Sequence, residues 1–260
     1  MKERVEKVIA ITNEHYQGVR DREFLWAYVN CLNDEETVEL LLYSCVDFFG
    51  LRDIALRKLE HDIADGIRPE HKKLVRELIK KSKLLKFREA NSIAYCLSRI
   101  LDYSKGKNER KIVEFLLNSK RVSFRRRGLK YLLGNFKKKY EEQVLNVWDQ
   151  FHDFETLKLI VYNFPTEYLF ESRKMLAGHI EEGWLASKLY LKIGKEHPEV
   201  LDELLDYGTP TYCYCLAKLQ LMLPVEKKKG IQLNTENDGL LLWSLGRLGE
   251  WQLIEKLEKQ

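Results

Sequence analysis

The sequence is poor in the two residues that most often break regular structure. Its 260 residues include 14 glycines and 5 prolines, whereas globular proteins average roughly 7% glycine and 5% proline. A β-sandwich or β-barrel needs a turn about every 8–12 residues, so this scarcity excludes a fold of many short strands. It also excludes collagen-like and low-complexity chains. Because 45% of the residues are hydrophobic, the chain can bury a large core, and disorder is not expected.

Long apolar runs are missing as well. No stretch approaches the roughly 18 apolar residues of a transmembrane helix, and the opening residues, MKERVE, are charged where a secretory leader is apolar. The five cysteines (Cys31, Cys45, Cys96, Cys213 and Cys215) all lie among apolar residues of predicted helices. We therefore expect reduced thiols that fill the core of a cytoplasmic protein.

The sequence contains none of the short motifs of common enzyme classes. It has no His-Glu-x-x-His or Cys-x-x-Cys metal pattern, no Gly-x-Ser-x-Gly turn and no glycine-rich phosphate loop. Cys213 and Cys215 are two residues apart, so on a helix they would point to different sides and make a poor metal pair. We expect no catalytic residue, no bound metal and no cofactor.

Apolar residues recur at helical spacing in nearly every segment. Ile93, Ala94, Leu97, Ile100 and Leu101, for example, fall on one face of a helix. No segment shows the sustained alternation that is typical of a strand. The sequence therefore predicts an all-α protein, with short polar links between its helices.

The predicted helices repeat along the chain. A small or capping residue, or in one case a lysine, precedes a large apolar residue at eight helix openings, which recur every 28–37 residues. This period is the size of a helix–turn–helix unit, and one such pair cannot bury its own apolar face. We predict a single domain over residues 1–260 with about eight antiparallel helix pairs and a capping helix over 251–259. The second helix of each pair, the B helix, is predicted to start near residues 19, 51, 87, 124, 154, 184, 212 and 240.

Two of these openings resemble a known repeat family. The run Leu51–Leu59 (LRDIALRKL) resembles the second helix of a HEAT repeat, and Leu242–Glu250 (LWSLGRLGE) resembles that helix together with the turn of the bacterial short HEAT-like repeats. The resemblance implies a right-handed α-solenoid whose B helices line a concave surface. It implies no catalytic residue.

An arginine follows the apolar residue in the first four B helices, and the resemblance implies that such arginines form a structural ladder between repeats. On a helical wheel, Arg52 and Arg125 fall in the apolar stripe, where a cation must be paired or hydrogen-bonded. We assign this structural role to Arg20, Arg52 and Arg125. Arg88 instead falls on the polar face of its helix.

The net charge of +4 hides a strong asymmetry. Residues 68–139 contain 23 basic and 6 acidic residues, a net charge of +17, and the rest of the chain carries −13. A solvated charged face is the simple alternative, but an excess of one sign also indicates an anionic partner. We expect a basic strip on the concave face of repeats three and four. Its predicted members are Arg88, Arg99, Arg126, Arg127, Lys130, Lys137 and Lys138.

These observations favour a non-enzymatic binding or scaffold module that holds an anionic macromolecule, either an acidic protein or a nucleic-acid backbone. Four tyrosines are interleaved with the basic band and are candidates for stacking on bases: Tyr95, Tyr103, Tyr131 and Tyr140. The alternative is a HEAT-like DNA-binding protein related to the alkylpurine DNA glycosylases, which hold DNA in a basic groove and use tryptophans and an aspartate. Trp148, Asp149 and Asp153 follow the basic band, although Trp148 also fits the core.

Overall fold

The computed structural model describes residues 2–15, 19–47, 49–64, 68–83, 86–234 and 237–259. Side chains are described at these positions except 13–15, 19–21, 46–47, 49, 69–70 and 87. Throughout this part of the chain the regular structure is helical and no strand occurs. The predicted all-α class is therefore confirmed. Of the helices described, none is long and apolar enough to cross a bilayer.

The chain divides into two compact units, Met1–Gln143 and Val144–Gln260. The helices described in the first unit are α1 (Glu3–His15), α2 (Val19–Asn30), α3 (Asp34–Asp47), α4 (Phe49–Asp62), α5 (Pro69–Ser82), α6 (Phe87–Leu101), α7 (Gly106–Leu117) and α8 (Val122–Asn135). Each odd-numbered helix packs against the even-numbered helix that follows it, and α2, α4, α6 and α8 also contact one another in that order. The odd-numbered helices form a second series of contacts from α1 to α7.

The amphipathic sequence of α6 explains its packing. Ile93, Ala94, Leu97, Ile100 and Leu101 are at most 1% exposed, and their helical spacing places them on one face. Each buried aliphatic side chain contributes about 1.5–3 kcal/mol relative to exposure. The same residues that predict the helix therefore also hold it against its neighbours.

The second unit contains a similar alternation of helices. α9 (Glu141–Phe151) begins just before the boundary, and the elements after it are α10 (Phe154–Asn163), α11 (Thr166–Ala177), α12 (Gly183–Ile193), a 3-10 helix (Pro198–Tyr207), α13 (Thr209–Leu219), α14 (Val225–Lys228), α15 (Asp238–Leu248) and α16 (Trp251–Glu258). α10, α12, α13 and α15 contact one another in that order. α11 packs on α12, and the 3-10 helix packs on both α12 and α13.

The eight predicted B-helix starts lie at or within three residues of the observed starts of α2, α4, α6, α8, α10, α12, α13 and α15. We therefore keep the name B helix for these eight elements. The predicted capping helix over 251–259 coincides with α16, which begins at Trp251. Because helix ends depend on capping and fray by one or two residues, small offsets at the starts are expected.

Two glycines of the second unit occupy positions that disfavour a side chain. A Cβ atom on Gly194, which follows α12, would lie 2.7 Å from the Cδ2 atom of Leu201 and 3.0 Å from the Cδ1 atom of Leu219. Gly249 ends α15 with φ +75°, a left-handed conformation that glycine adopts without strain. The first glycine lets three elements approach closely, and the second turns the chain into α16.

The prediction that all five cysteines fill the core is wrong for one of them. Cys45, Cys96, Cys213 and Cys215 are buried, but Cys31 is exposed. Cys31 follows the last residue of α2, in the link to α3, where the apolar stripe of the helix has ended. Burial raises the pKa of the Cys213 thiol to about 11, as expected for a thiol that packs rather than reacts.

Candidate functional site

Three of the seven predicted basic residues line one groove of the first unit. Arg99 on α6 and Arg127 and Lys130 on α8 border a cavity of about 380 Å³. Its other lining residues are Tyr95, Ser98, Asp102, Tyr131, Gly134 and Asn135. α6 and α8 are consecutive B helices that pack against each other, so the groove lies on the B-helix side of this unit.

One end of the groove is built around the ring of Tyr95. The guanidinium carbon of Arg52, on α4, lies 4.7 Å from the ring centroid, and that of Arg127 lies 5.3 Å from it. Arg52 also donates hydrogen bonds to the carboxylate of Asp53 at 2.8 Å and to the hydroxyl of Ser92 at 2.7 Å. Arg52 thereby bridges α4 and α6, while burial lowers the pKa of Arg127 below its usual range. Cation–π contacts of this kind contribute about 0.5–2 kcal/mol each.

Arg99 is held by a carboxylate of the neighbouring B helix. Its Nε and terminal nitrogen donate to the two oxygens of Glu60, on α4, at 2.5 and 2.8 Å. These hydrogen bonds to the Glu60 carboxylate raise the pKa of Arg99 further above its usual range. Burial also raises the pKa of Asp102, which lines the same groove. Because the charge of Arg99 is balanced by Glu60, Arg127 and Lys130 are the lining cations that pair with no carboxylate of the described residues.

Lys137 belongs to a different cluster, centred on the buried carboxylate of Glu109. The Lys137 ammonium lies 2.8 Å from Oε1 of Glu109 and that of Lys139 lies 3.3 Å from Oε2. Tyr131 donates a hydroxyl hydrogen bond of 3.4 Å to the same carboxylate. Burial raises the pKa of Glu109, but the hydrogen bonds from the two lysines lower it by more, so the pKa falls below its usual value. Lys137 therefore already neutralises an internal anion.

The sequence analysis did not identify Glu109. Its carboxylate binds two lysines and accepts a hydrogen bond from Tyr131, which lines the groove. Glu109 is 1% exposed and shares its helix face with Ile112, Val113, Leu116 and Leu117. The spacing of these five residues along α7 is i, i+3, i+4, i+7 and i+8, which is the pattern of an apolar stripe. A carboxylate within such a stripe indicates a buried ion pair, and this signal was available from the sequence.

The other predicted members of the basic strip have exposed side chains, whereas the predicted structural arginine Arg125 is buried. Arg88, Arg126 and Lys138 are exposed outside the groove lining. Among the described residues, Lys130 and Lys138 form no ion pair with a carboxylate. Arg125 is 2% exposed and donates to the backbone oxygen of Ser119 at 2.8 Å.

The predicted structural arginine of the first repeat, Arg20, has a side chain outside the described residues. Of the four tyrosines considered for base stacking, Tyr140 is 1% exposed and Tyr103 does not line the groove. The other two are engaged by the protein itself. Tyr95 lies beneath two guanidinium groups, and Tyr131 hydrogen-bonds to Glu109. Burial raises the pKa of Tyr131 to about 12. Base stacking on either ring would require these contacts to rearrange.

The residues considered for a glycosylase do not converge on an open site. Trp148 is 1% exposed and packs its indole against the rings of His152 and His179, at centroid distances of 4.9 and 5.1 Å. Asp149 is exposed, and Asp153 precedes the first residue of α10. Burial keeps Trp148 from contacting an extruded nucleotide in this conformation.

The chemistry that this groove offers is electrostatic. It presents cations and hydrogen-bond donors, and no three histidine, cysteine or acidic side chains of the described residues form a group that could hold a metal. Comparison with known protein families, with curated proteins and with solved structures gives no match for this chain.

Proposed function

We propose that this chain is a non-enzymatic binding module that holds an anionic macromolecule on the B-helix face of its first unit. The observation that carries the proposal is the groove between α6 and α8, into which Arg127 and Lys130 bring positive charge. Lys130 has no carboxylate partner within the described residues, so its charge is available to a ligand. Phosphate or carboxylate groups there would form charge-assisted hydrogen bonds, which are stronger than neutral ones.

We also propose that the helix pairs form a HEAT-like, right-handed α-solenoid. The series of B-helix contacts within each unit and the bridging position of Arg52 support this packing. A stacked array presents a surface that is already formed, so a partner loses little free energy to ordering the protein when it binds. That all eight pairs over residues 1–260 belong to one array stays a prediction.

The proposal is tested by titrating the full chain into two labelled anions, a short duplex DNA and a polyglutamate peptide, at salt concentrations from about 0.05 to 0.3 M. The variant is Lys130→Glu/Lys138→Glu, which breaks no ion pair of the described residues. We expect at least one anion to bind with an affinity that falls steeply with salt. The variant should weaken that binding by about tenfold or more, because it reverses a charge that lines the groove and a second exposed charge of the same unit.

A matched control reverses two exposed lysines of the second unit, Lys174→Glu/Lys259→Glu. It makes the same change in net charge, and we expect it to leave the affinity nearly unchanged. An equal loss in both variants would show that net charge alone, not the groove, attracts the anion. The proposal fails if neither anion binds at the lowest salt concentration.

A further inference from the structure

The second unit carries cations and aromatic rings on its B helices, although its net charge is negative. Residues 144–260 contain 13 basic and 18 acidic residues. In each of its four B helices an aromatic residue is followed four positions later by a lysine or arginine, which places the ring and the cation on the same side of the helix. These pairs are Phe154 and Lys158, Trp184 and Lys188, Tyr214 and Lys218, and Trp243 and Arg247. Together with Tyr162 and Lys192 we call them the aromatic–lysine face.

The first two B helices of the face are joined by ring contacts. Phe154 of α10 meets Trp184 of α12 edge to face, with ring centroids 6.1 Å apart. The ammonium of Lys158 lies 5.5 Å from the centroid of Trp184, and that of Lys188 lies 5.8 Å from the centroid of Tyr162. Rings and ammonium groups therefore alternate across the boundary between α10 and α12.

The same arrangement continues on α13 and α15. The rings of Tyr214 and Trp243 have centroids 5.8 Å apart, and the ammonium of Lys218 lies 5.6 and 5.2 Å from them. Lys218 also lines a groove of about 370 Å³ together with Tyr162 and Lys188. This groove connects the two halves of the face, so the surface is continuous from α10 to α15.

The rings of this face are open to solvent. Phe154, Trp184 and Trp243 are each 44% exposed, and Tyr162 is 38% exposed. Single exposed apolar residues are normal on a protein surface. Large rings that contact one another and stay exposed are typical of a binding surface.

Acidic side chains outnumber basic ones, by six to two, on α11 and the 3-10 helix, which pack against the helices of the face. Among the described residues, the lysines of the face form no ion pair with a carboxylate. The acidic side chains of α11 and the 3-10 helix, which pack on α12 and α13, are Glu167, Glu171, Glu199, Asp202, Glu203 and Asp206. Burial lowers the pKa of Lys192, whose ammonium donates to the backbone oxygen of Tyr162 at 2.7 Å. The face is therefore suited to an anion that also presents flat apolar surfaces.

We propose that the aromatic–lysine face binds single-stranded nucleic acid, with unpaired bases stacked on Trp184 and Trp243 and with phosphates held by Lys188 and Lys218. Aromatic platforms interleaved with cations are the general means of binding single strands without sequence preference. An acidic peptide would use the lysines but leave the rings without a stacking partner. A duplex would engage the cations while its bases stay paired and stacked inside the helix. This site is separate from the groove of the first unit and does not depend on it.

The test follows tryptophan fluorescence and anisotropy while the full chain is titrated with a 20-nucleotide single strand, with the matched duplex and with polyglutamate. We expect the single strand to quench tryptophan emission and, in the groove variant Lys130→Glu/Lys138→Glu, to bind about tenfold or more tightly than the duplex. The variant Trp184→Leu/Trp243→Leu should lose about tenfold or more in affinity and most of the quenching, because stacking on two rings is removed. Both positions are half exposed, and unfolding midpoints of the variants check that they remain folded.

A tryptophan outside the face supplies the control. Trp251 is 72% exposed at the start of α16, and Trp251→Leu should leave the affinity for the single strand unchanged. A second variant, Lys188→Glu/Lys218→Glu, should weaken binding and flatten its salt dependence. In the groove variant Lys130→Glu/Lys138→Glu, the single strand should still quench tryptophan emission, whatever happens to binding at the groove, so the two proposals fail independently.

Several results would overturn the inference. Equal affinity for single strand and duplex in the groove variant Lys130→Glu/Lys138→Glu would exclude stacking, and so would single-strand quenching that Trp184→Leu/Trp243→Leu leaves unchanged. Polyglutamate binding at this face as tightly as the single strand would assign the face to an acidic protein instead. Absence of single-strand binding up to about 100 μM protein at low salt would exclude even a weak nonspecific site.

Discussion

The two units differ in how the cations of their B helices are used. In the first unit, the basic band of residues 68–139 carries a net charge of +17, yet several of its cations are bound by groups of the same chain. Arg99 pairs with Glu60, Lys137 pairs with Glu109, and Arg127 lies over Tyr95. In the second unit, where acidic residues outnumber basic ones, the lysines of the aromatic–lysine face pair with no described carboxylate. Net charge therefore does not show where a cation is available to a ligand.

The two units also differ in which basic residue makes these contacts. The first unit places arginines between its B helices, and their planar, multiply donating guanidinium groups suit fixed contacts such as the double hydrogen bond to Glu60. The second unit places lysines beside exposed rings. A lysine has a flexible stem and one compact charge, so it can leave a ring for a phosphate at little cost. Three predictions test this contrast, and two of them are confined to the first unit.

The largest effect on the free energy of unfolding is expected for Arg125, which we compare with its neighbour on α8, Arg126. Arg125 is 2% exposed and hydrogen-bonded to the Ser119 backbone, whereas Arg126 is exposed. Arg125→Ala should lower the free energy of unfolding by about 2–4 kcal/mol, because it leaves a cavity and an unsatisfied carbonyl. Arg126→Ala should change it by about 0.5 kcal/mol or less. Urea unfolding measures both values, and equal losses would contradict the division between buried and exposed arginines of this helix.

A smaller effect, dependent on pH, is expected at Glu109. Its pKa is lowered in the folded protein, so its ionised form contributes stability above its unfolded pKa of about 4.3. That contribution is lost as the pH falls through the lower, folded value. Because both lysine partners are about half exposed, Glu109→Gln should cost only about 1–2 kcal/mol at pH 7.

The difference between wild type and Glu109→Gln should shrink as the pH is lowered towards 3. Glu114→Gln is the matched control on α7, since Glu114 forms an exposed pair with Arg110. We expect this control to cost about 0.5 kcal/mol or less. Urea unfolding at several pH values measures these effects, and a gap that is independent of pH would show that the charge of Glu109 is not what stabilises the cluster.

The smallest effect on the free energy of unfolding is expected when one tyrosine in each unit is replaced by leucine. Tyr95→Leu removes the ring beneath Arg52 and Arg127 and should lower the free energy of unfolding by about 1 kcal/mol. Tyr214→Leu should cost less, because its ring meets one lysine, 5.6 Å from its centroid, and the half-exposed ring of Trp243, whereas Tyr95 lies beneath two guanidinium groups. Thermal and urea unfolding of the two variants show which one loses more stability. A larger cost at Tyr214 would show that the rings of the second unit are structural.

Much of the fold was predictable because helical periodicity is a local property. The apolar positions of α6, from Ile93 to Leu101, indicate both the helix and its buried face. The same reasoning misplaced Cys31, since apolar neighbours in sequence do not ensure burial once a helix has ended. The division into two compact units was not predicted, because it depends on which distant residues pack together.

The candidate sites were less predictable. The composition of residues 68–139 located the band that contains Arg99, Arg127 and Lys130, which line one groove. It did not indicate that Glu60 and Glu109 would bind Arg99 and Lys137, because those pairs join residues 39 and 28 positions apart. The aromatic–lysine face was missed for a related reason. Its i, i+4 pairs are readable one helix at a time, but they form a surface only when four helices pack side by side.

By itself, the sequence determined the helical class, the positions of the B helices and the excess of positive charge in one part of the chain. These features depend on the spacing of residues along a helix and on composition, which need no long-range contact. Only the tertiary structure decided which cations remain available, since a charge is balanced or free according to its neighbours in space. Packing gave Arg99 and Lys137 internal carboxylate partners. It left Lys130 at an open groove and Lys188 and Lys218 beside exposed rings.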